Sequence, residues 1–289
     1  MNIAVFGNIY QDNHIDAING LLEALMKQDV TIVAEKHFYQ YIETHLPEET
    51  MKKIVRDDSI EPDIVLSIGG DGTFLKTAAK IGEREIPIFG INSGHLGFLA
   101  GAQIDEYEEV AKAITSKNFM VEDRTLLEVS VDRDVRLPKP FALNEVAIQK
   151  NTSASMLSMH TEINGSQLST YHGDGMIVAT PTGSTAYNLS VGGPIVHPAC
   201  GCWVISPNAA HSLTMRPVVV PDNLVVKITT SSQRSSDFRL SVDGESVCLP
   251  IGTTITLRKA KHVVKVAQHV DYLFSRTLRN KLMWGADPR

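Results

Sequence analysis

Over residues 1–121, short apolar runs alternate with segments whose apolar residues recur every three to four positions. Residues 2–6, 30–34, 63–68 and 86–91 are the runs, and each predicts a strand. The run 63–68 is apolar on both faces, as a central parallel strand must be. Between the first two, Ile15, Ile18, Leu21, Leu22, Leu25 and Met26 share one face of a helix over 14–27. Asp12 or Asn13 can cap its start. A second helix is predicted over 73–81 and stops at Gly82, a residue suited to the turn after a helix. A third covers 104–115, with Tyr107, Val110, Ala111 and Ile114 on one side.

Past residue 121 the period changes. Strands are predicted over 126–131, 142–148, 156–163, 176–179, 217–220, 224–229, 238–242, 253–257 and 262–266. Only one short helical segment interrupts them, near Ala186. The end turns helical again, with Leu273, Thr277, Leu278, Leu282 and Met283 available to pack. The expected fold is an α/β N-terminal domain with a parallel, Rossmann-like sheet over 1–121. A β-rich, sandwich-like domain follows over 122–270, and the segment 271–289 returns as a helix to the first domain.

Composition narrows the function classes. A chain of 289 residues, 43% hydrophobic and 21% charged, can bury two ordinary cores. A net charge of −6 argues against a nucleic-acid partner, which calls for clustered Lys and Arg. The densest basic stretch, RKAKHVVK at 258–265, interleaves its charges with valines and reads as the solvated face of a strand. The three cysteines form no CxxC pair and suit reduced thiols in the cytoplasm. The first residues lack a charged leader region, and no stretch approaches the ~18 apolar residues of a membrane span. A cytoplasmic protein with no membrane partner is expected.

Two glycine-rich turns stand at predicted strand ends: IGGDGTFLK from residue 68 and INSGHLGFL from residue 91. In an open parallel sheet ligands bind at those ends. Glycine lets backbone N–H groups approach an anion, and the helix that follows adds its positive pole. The competing reading is a tight turn with Asp71 as a helix N-cap. Neither a P-loop nor a G-x-G-x-x-G after the first strand is present. A third segment, YHGDGMIVATPTGSTAYNLSVGGP at 171–194, places five hydroxyl side chains within eleven residues. Asn144 and Glu145 sit inside an otherwise apolar strand prediction, so they either face solvent or meet a polar ligand.

Taken in order, GGDGT (69–73), NSGHLGF (92–98), Asn144-Glu145, Asp174-Gly175, TPTGSTAYNLS (180–190), GGP (192–194), HSLTMRP (211–217) and DGE (243–245) resemble the NAD kinases. The terminal LRNKLMWG (278–285) is similar to that family's end. GGDGT alone is shared with diacylglycerol and sphingosine kinases; the 180–190 segment with the Asn-Glu pair singles out NAD kinases. The resemblance implies transfer of the ATP γ-phosphate to the 2′-hydroxyl of the adenosine ribose of NAD, with Mg²⁺ or another divalent cation. It implies Asp71 as the catalytic aspartate and a nucleotide site formed with Gly70, Gly72, Thr73 and Phe98. Asn144 and Glu145 would hold ribose and nicotinamide-side groups, and Asp174 would lie near the nicotinamide end. Thr185, Ala186 and Tyr187 would embrace the adenine side. Thr182, Asn188, Leu189 and Ser190 would continue that wall, with Ala209 supplying a backbone contact. A homo-oligomer is implied, a tetramer with a dimer as the alternative.

Some positions depart from the family. His172 stands where Arg or Lys is frequent, and Glu245 where Gln is frequent; both are kept in the expected site. Asn208 and Ala210 replace an apolar residue and a proline before HSL. Two rival functions stay open from sequence: a lipid kinase of the diacylglycerol or sphingosine type, and a non-catalytic NAD(P)-binding module. The polar, hydroxyl-rich signature opposes the first, and the presence of Asp71 opposes the second.

Overall fold

The computed structural model describes residues 1–56, 60–94, 97–151 and 156–285. The chain divides into two compact units: residues 1–123 with 264–289, and residues 124–263.

The first unit is built on a sheet of the order Ile54–Val55, Thr31–Ala34, Asn2–Gly7, Ile64–Ile68, Ile88–Asn92, Val264–His269, Phe119–Arg124. Asn2–Gly7 pairs in parallel with Thr31–Ala34 on one side and with Ile64–Ile68 on the other. Strand order therefore reverses between Asn2–Gly7 and Ile64–Ile68, the kind of switch point at which a crevice opens in such sheets. Ile88–Asn92 is the next parallel neighbour, so the two glycine turns do follow adjacent strands. The helix Ile15–Met26 buries Ile18, Leu21, Leu22 and Leu25 against this sheet, each worth roughly 1.5–3 kcal/mol. The expected cap at its start is not made. Asp12 opens a short 3-10 turn, and its carboxylate accepts the Tyr41 hydroxyl at 2.9 Å instead.

Tyr41 belongs to a helix the periodicity did not announce, Lys36–Glu43. At eight residues it is short, and its start depends on Glu35, whose carboxylate accepts the His37 and Phe38 N–H groups at 2.9 and 3.1 Å. The last strand also differs from expectation. By position it follows the second-domain strands, yet Val264–His269 pairs in parallel with Ile88–Asn92, Val266 opposite Ile88. Val264, Val266, Ala267 and Gln268 are all buried, as an interior parallel strand requires. The basic stretch 258–265 is consequently two strand ends joined by a turn rather than one solvated face. The terminal helix Phe274–Leu282 packs back on this unit, where the Phe274 and Phe98 rings lie 6.4 Å apart.

The second unit is a sandwich of two six-stranded sheets. One runs Val218–Pro221, Cys202–Asn208, Gly175–Ala179, Glu145–Lys150, Asp237–Val242, Glu245–Pro250; the other runs Ser166–Gly173, Leu157–Ile163, Val226–Ser231, Thr254–Lys259, Leu127–Val131, Phe141–Ala142. Their inner faces share one core, with Trp203, Phe238, Ile148 and Val178 from the first and Leu157, Met159, Ile228 and Leu257 from the second. Three strands of this unit escaped the sequence reading. Ser166–Gly173 and Glu245–Pro250 are polar edge strands, and Cys202–Asn208 carries Pro207. The run 142–148, predicted as one strand, is divided between the sheets: Phe141–Ala142 pairs with Leu127–Val131, and Glu145–Lys150 pairs with Gly175–Ala179. Leu143 and Asn144 form the crossing.

Candidate active site

The GGDGT turn leaves Ile64–Ile68 at the switch point. Gly69 has φ +143°, a region that side chains avoid, and a Cβ there would lie 2.5 Å from the Thr73 hydroxyl. Gly70 and Gly72 are exposed, and a Cβ on either would meet nothing within 4 Å. Packing does not demand glycine at those two positions; what its absence of a side chain provides is open backbone at a helix start. The helix is Asp71–Ile81; the Thr73 and Phe74 N–H groups donate to the Gly70 carbonyl at 2.9 and 3.2 Å, and no carbonyl within the helix takes those of Asp71 and Gly72. Thr77 fastens the helix to the strand through Ser67, hydroxyl to hydroxyl at 3.1 Å.

Asp71 is the first helical residue and Gly70 the cap, so the N-cap reading of Asp71 does not hold. Its carboxylate turns to the second glycine segment. Oδ2 accepts the Phe98 N–H at 3.0 Å, and Oδ1 accepts those of Leu99 at 3.0 Å and Ala100 at 3.4 Å. Gly97 makes this approach possible, because a Cβ there would stand 2.1 Å from Oδ1. His95 and Leu96 of the same segment lie outside the described residues. The sequence reading did not single out a fourth partner, Lys281 of the terminal helix, whose Nζ is 3.4 Å from Oδ2. Lys281 sits inside the LRNKLMWG segment, and that segment was the signal that could have found it.

In the second unit Asn144 lies in the crossing between sheets and Glu145 follows it. Asp243 accepts the backbone N–H groups of Leu143, Asn144 and Glu145 at 2.7, 2.9 and 3.1 Å. Glu145 is buried, and its Oε2 accepts the Tyr187 N–H at 3.4 Å. Burial, and after it the charge of Asp243, push the Glu145 carboxyl up to about 7. Burial also pushes the Asp243 carboxyl up, against the pull of its three backbone bonds. The carbonyl of Asn144 accepts the Thr180 N–H at 2.9 Å, which joins this crossing to the hydroxyl-rich segment.

That segment forms a 3-10 turn at Thr182–Thr185 and a helical turn at Tyr187–Ser190. Thr185, Ala186, Tyr187 and Leu189 are partly exposed and Ser190 is exposed, whereas Thr182 is buried. Asn188 is wholly buried: its Nδ2 donates to the Ser184 and Pro194 carbonyls, both at 3.1 Å, and its Oδ1 accepts the Ser206 hydroxyl at 2.6 Å. Its side chain anchors the wall from behind. The Tyr187 hydroxyl accepts from Gln149 at 2.7 Å and from Asn208 at 3.4 Å.

Asn208 in turn accepts the Asp174 N–H on its carbonyl at 3.1 Å, and Ala209 beside it takes a left-handed backbone with φ 47°. Asp174 pairs with Lys150 at 2.7 Å. His172 Nδ1 lies 2.8 Å from the Ser158 hydroxyl, and its carbonyl accepts the His211 N–H. His172, Asp174, Lys150 and His211 line a cleft of about 710 Å³. Glu245 stands apart from that group, exposed and paired with Lys139 at 3.0 Å. Among the described residues, no group of three or more His, Cys, Asp or Glu is placed to hold a metal ion. No helix among them is long and apolar enough to cross a membrane.

Two family profiles match the chain: "ATP-NAD kinase N-terminal domain" over residues 3–119 and "ATP-NAD kinase C-terminal domain" over residues 143–269. An NAD kinase of Bacteroides fragilis is 42% identical over 290 residues, covering 100% of both chains. One from Porphyromonas gingivalis is 40% identical over 99% of each. Among solved structures, a yeast NADH kinase complexed with NADH has the same fold at a TM-score of 0.88 and 22% identity, covering 100% of this chain and 89% of that one. An Archaeoglobus fulgidus NAD kinase in complex with ATP matches at a TM-score of 0.72 and 28% identity, over 99% and 98%. With both domain profiles matched and full-length relatives at this identity, the chain belongs to the NAD kinase family.

Proposed function

We propose that the GGDGT turn of this NAD kinase holds the phosphates of ATP and that Asp71 receives the proton of the attacking hydroxyl. The enzyme is an ATP-dependent phosphotransferase that converts NAD to NADP. Placement of the Asp71 carboxylate carries the reading: it stands beside open glycine backbone, at the start of a helix and at the switch point of a parallel sheet. The hydroxyl oxygen attacks the γ-phosphorus, the bond from phosphorus to the bridging oxygen breaks, and ADP leaves with its electron pair. Such transfers depend on positioning and on neutralising charge over the phosphoryl oxygens. A proton acceptor within reach contributes roughly 10²–10⁴-fold.

In the same reading Gly70, Gly72 and Thr73 line the phosphate site and Phe98 closes it. The second unit binds NAD. Asn144, Glu145 and Asp174 take ribose and nicotinamide-side groups, Thr185, Ala186 and Tyr187 the adenine side, and Leu189, Ser190 and Ala209 the flanks. Thr182 and Asn188 are buried supports of that wall, and His172 and Glu245 are polar groups at its margins. Magnesium fits this arrangement as an ion carried on the nucleotide phosphates, since it keeps several waters and needs few protein carboxylates. It would neutralise phosphate charge there. We further infer a cytoplasmic homo-oligomer, a tetramer or else a dimer; the edge strand Val218–Pro221, with Val219 exposed, offers unpaired backbone to a second copy. No nucleic acid or membrane takes part.

The test is incubation with NAD, ATP and Mg²⁺ coupled to an NADP-specific dehydrogenase. Steady NADP production is expected. NAD binding without any NADP formed would reduce the protein to a binding module.

A further inference from the structure

The terminal helix Phe274–Leu282 meets the Phe98 ring twice. Phe274 packs against it at 6.4 Å, and the Lys281 ammonium lies 4.7 Å above its centre. The two residues are seven apart, two helical turns, and so occupy one face. The same ammonium reaches Asp71 Oδ2 at 3.4 Å. Lys281 is 31% exposed and Asp71 30%, and an ion pair so open to water adds little to stability. The ion pair's own contribution to stability does not account for its position.

A carboxylate offers about four lone-pair positions. Phe98, Leu99, Ala100 and Lys281 supply four donors to Asp71. Three of these are backbone groups fixed by the chain. Lys281 alone stands on a flexible stem, so a hydroxyl that approaches Asp71 must take the position Lys281 holds.

We infer that Lys281 is a further residue of the phosphoryl-transfer centre: its ammonium occupies the hydroxyl's place on Asp71 Oδ2 and, once displaced, lies beside the phosphoryl group in transit. Lys281 can act so only if Asp71 receives the hydroxyl proton, as proposed above. Its ammonium keeps its three protons throughout, and no bond to it forms or breaks. Its contribution is a positive charge where negative charge is spread over the phosphoryl oxygens.

The experiment compares Lys281→Met, Lys281→Arg, Asp71→Asn and the Lys281→Met/Asp71→Asn double variant in the coupled assay, with a thermal melt of each. Lys281→Met is expected to fold like the native chain, keep its KM for NAD within about twofold and lose about 10- to 100-fold in kcat. Lys281→Arg is expected to recover most of that loss, and the double variant to lose little beyond Asp71→Asn alone. A folded Lys281→Met with native or higher kcat, beside an inactive Asp71→Asn, overturns the role of Lys281 and leaves that of Asp71 standing. Native kcat in Asp71→Asn overturns the reading of Asp71 itself, and the inference with it. If Lys281→Met melts early, Lys281→Gln repeats the comparison with a polar side chain, and the same two kcat outcomes decide.

Discussion

The carboxylate of Asp243 accepts the Glu145 N–H at 3.1 Å, and the Asp243 N–H donates back to the Glu145 carbonyl at 3.1 Å. Asp243 does this from a left-handed position, φ 45°, at the turn between Asp237–Val242 and Glu245–Pro250. One side chain thereby fixes the point at which the chain leaves one sheet for the other, and with it the Asn144-Glu145 pair.

Asp243→Ala would strand three backbone N–H groups at that crossing. A loss of at least about 3 kcal/mol in unfolding free energy is expected, since each of the three unsatisfied donors costs about 1–3 kcal/mol. Urea unfolding followed by fluorescence measures it, Trp203 being fully buried in the core of the same unit.

Glu145 links stability to pH. Below pH 4.5 its carboxyl is protonated in the folded and the unfolded chain alike. Between pH 4.5 and about 7 the unfolded chain releases the proton while the folded chain keeps it, so stability falls as pH rises through that window. Above it the penalty is constant, about 3–4 kcal/mol at most, at roughly 1.36 kcal/mol per pH unit. Glu145→Gln removes the penalty. Melts at about pH 8 should then show the variant above the native protein by several degrees, and melts near pH 4.5 should show no difference. A native-like slope between the two in Glu145→Gln would disprove this origin.

Gly97→Ala puts a methyl group where Asp71 Oδ1 now lies, 2.1 Å away. The carboxylate must then leave the Phe98 and Leu99 amides. Expected are a stability loss of roughly 1–3 kcal/mol, as in other overpacked sites, and a kcat at least about tenfold lower at unchanged NAD affinity. Calorimetric titration with NAD beside the coupled assay separates the two effects.

Asp71→Asn keeps the shape of the side chain and removes the proton acceptor. A fall of about 10²–10⁴ in kcat is expected, with a stability loss of roughly 1–3 kcal/mol because the new amide nitrogen cannot accept the Phe98 or Leu99 N–H it then faces. A variant turning over at the native rate would refute the assignment.

Much of this architecture was legible along the chain. The helix Ile15–Met26 and the strand Ile64–Ile68 announce themselves by period, because each buries a continuous apolar face or both faces. Other elements depend on partners distant in sequence. Val264–His269 reads as one more strand of the β-rich domain until its pairing with Ile88–Asn92 is seen. The run 142–148 reads as one strand because period reports burial and not which sheet does the burying.

The candidate site divides in the same way. The sequence by itself marked the candidate segments, since glycine-rich turns at parallel strand ends and lone carboxylates in apolar surroundings call for a reason beyond packing. It did not say that Asp71 faces residues 98–100, that Asp243 fixes Asn144 and Glu145, that Asn188 is spent inside the wall, or that Lys281 reaches Asp71. Those are contacts between residues up to 210 positions apart. Local chemistry selects the groups, but only the closing of the chain on itself sets which of them lie within a hydrogen bond of each other.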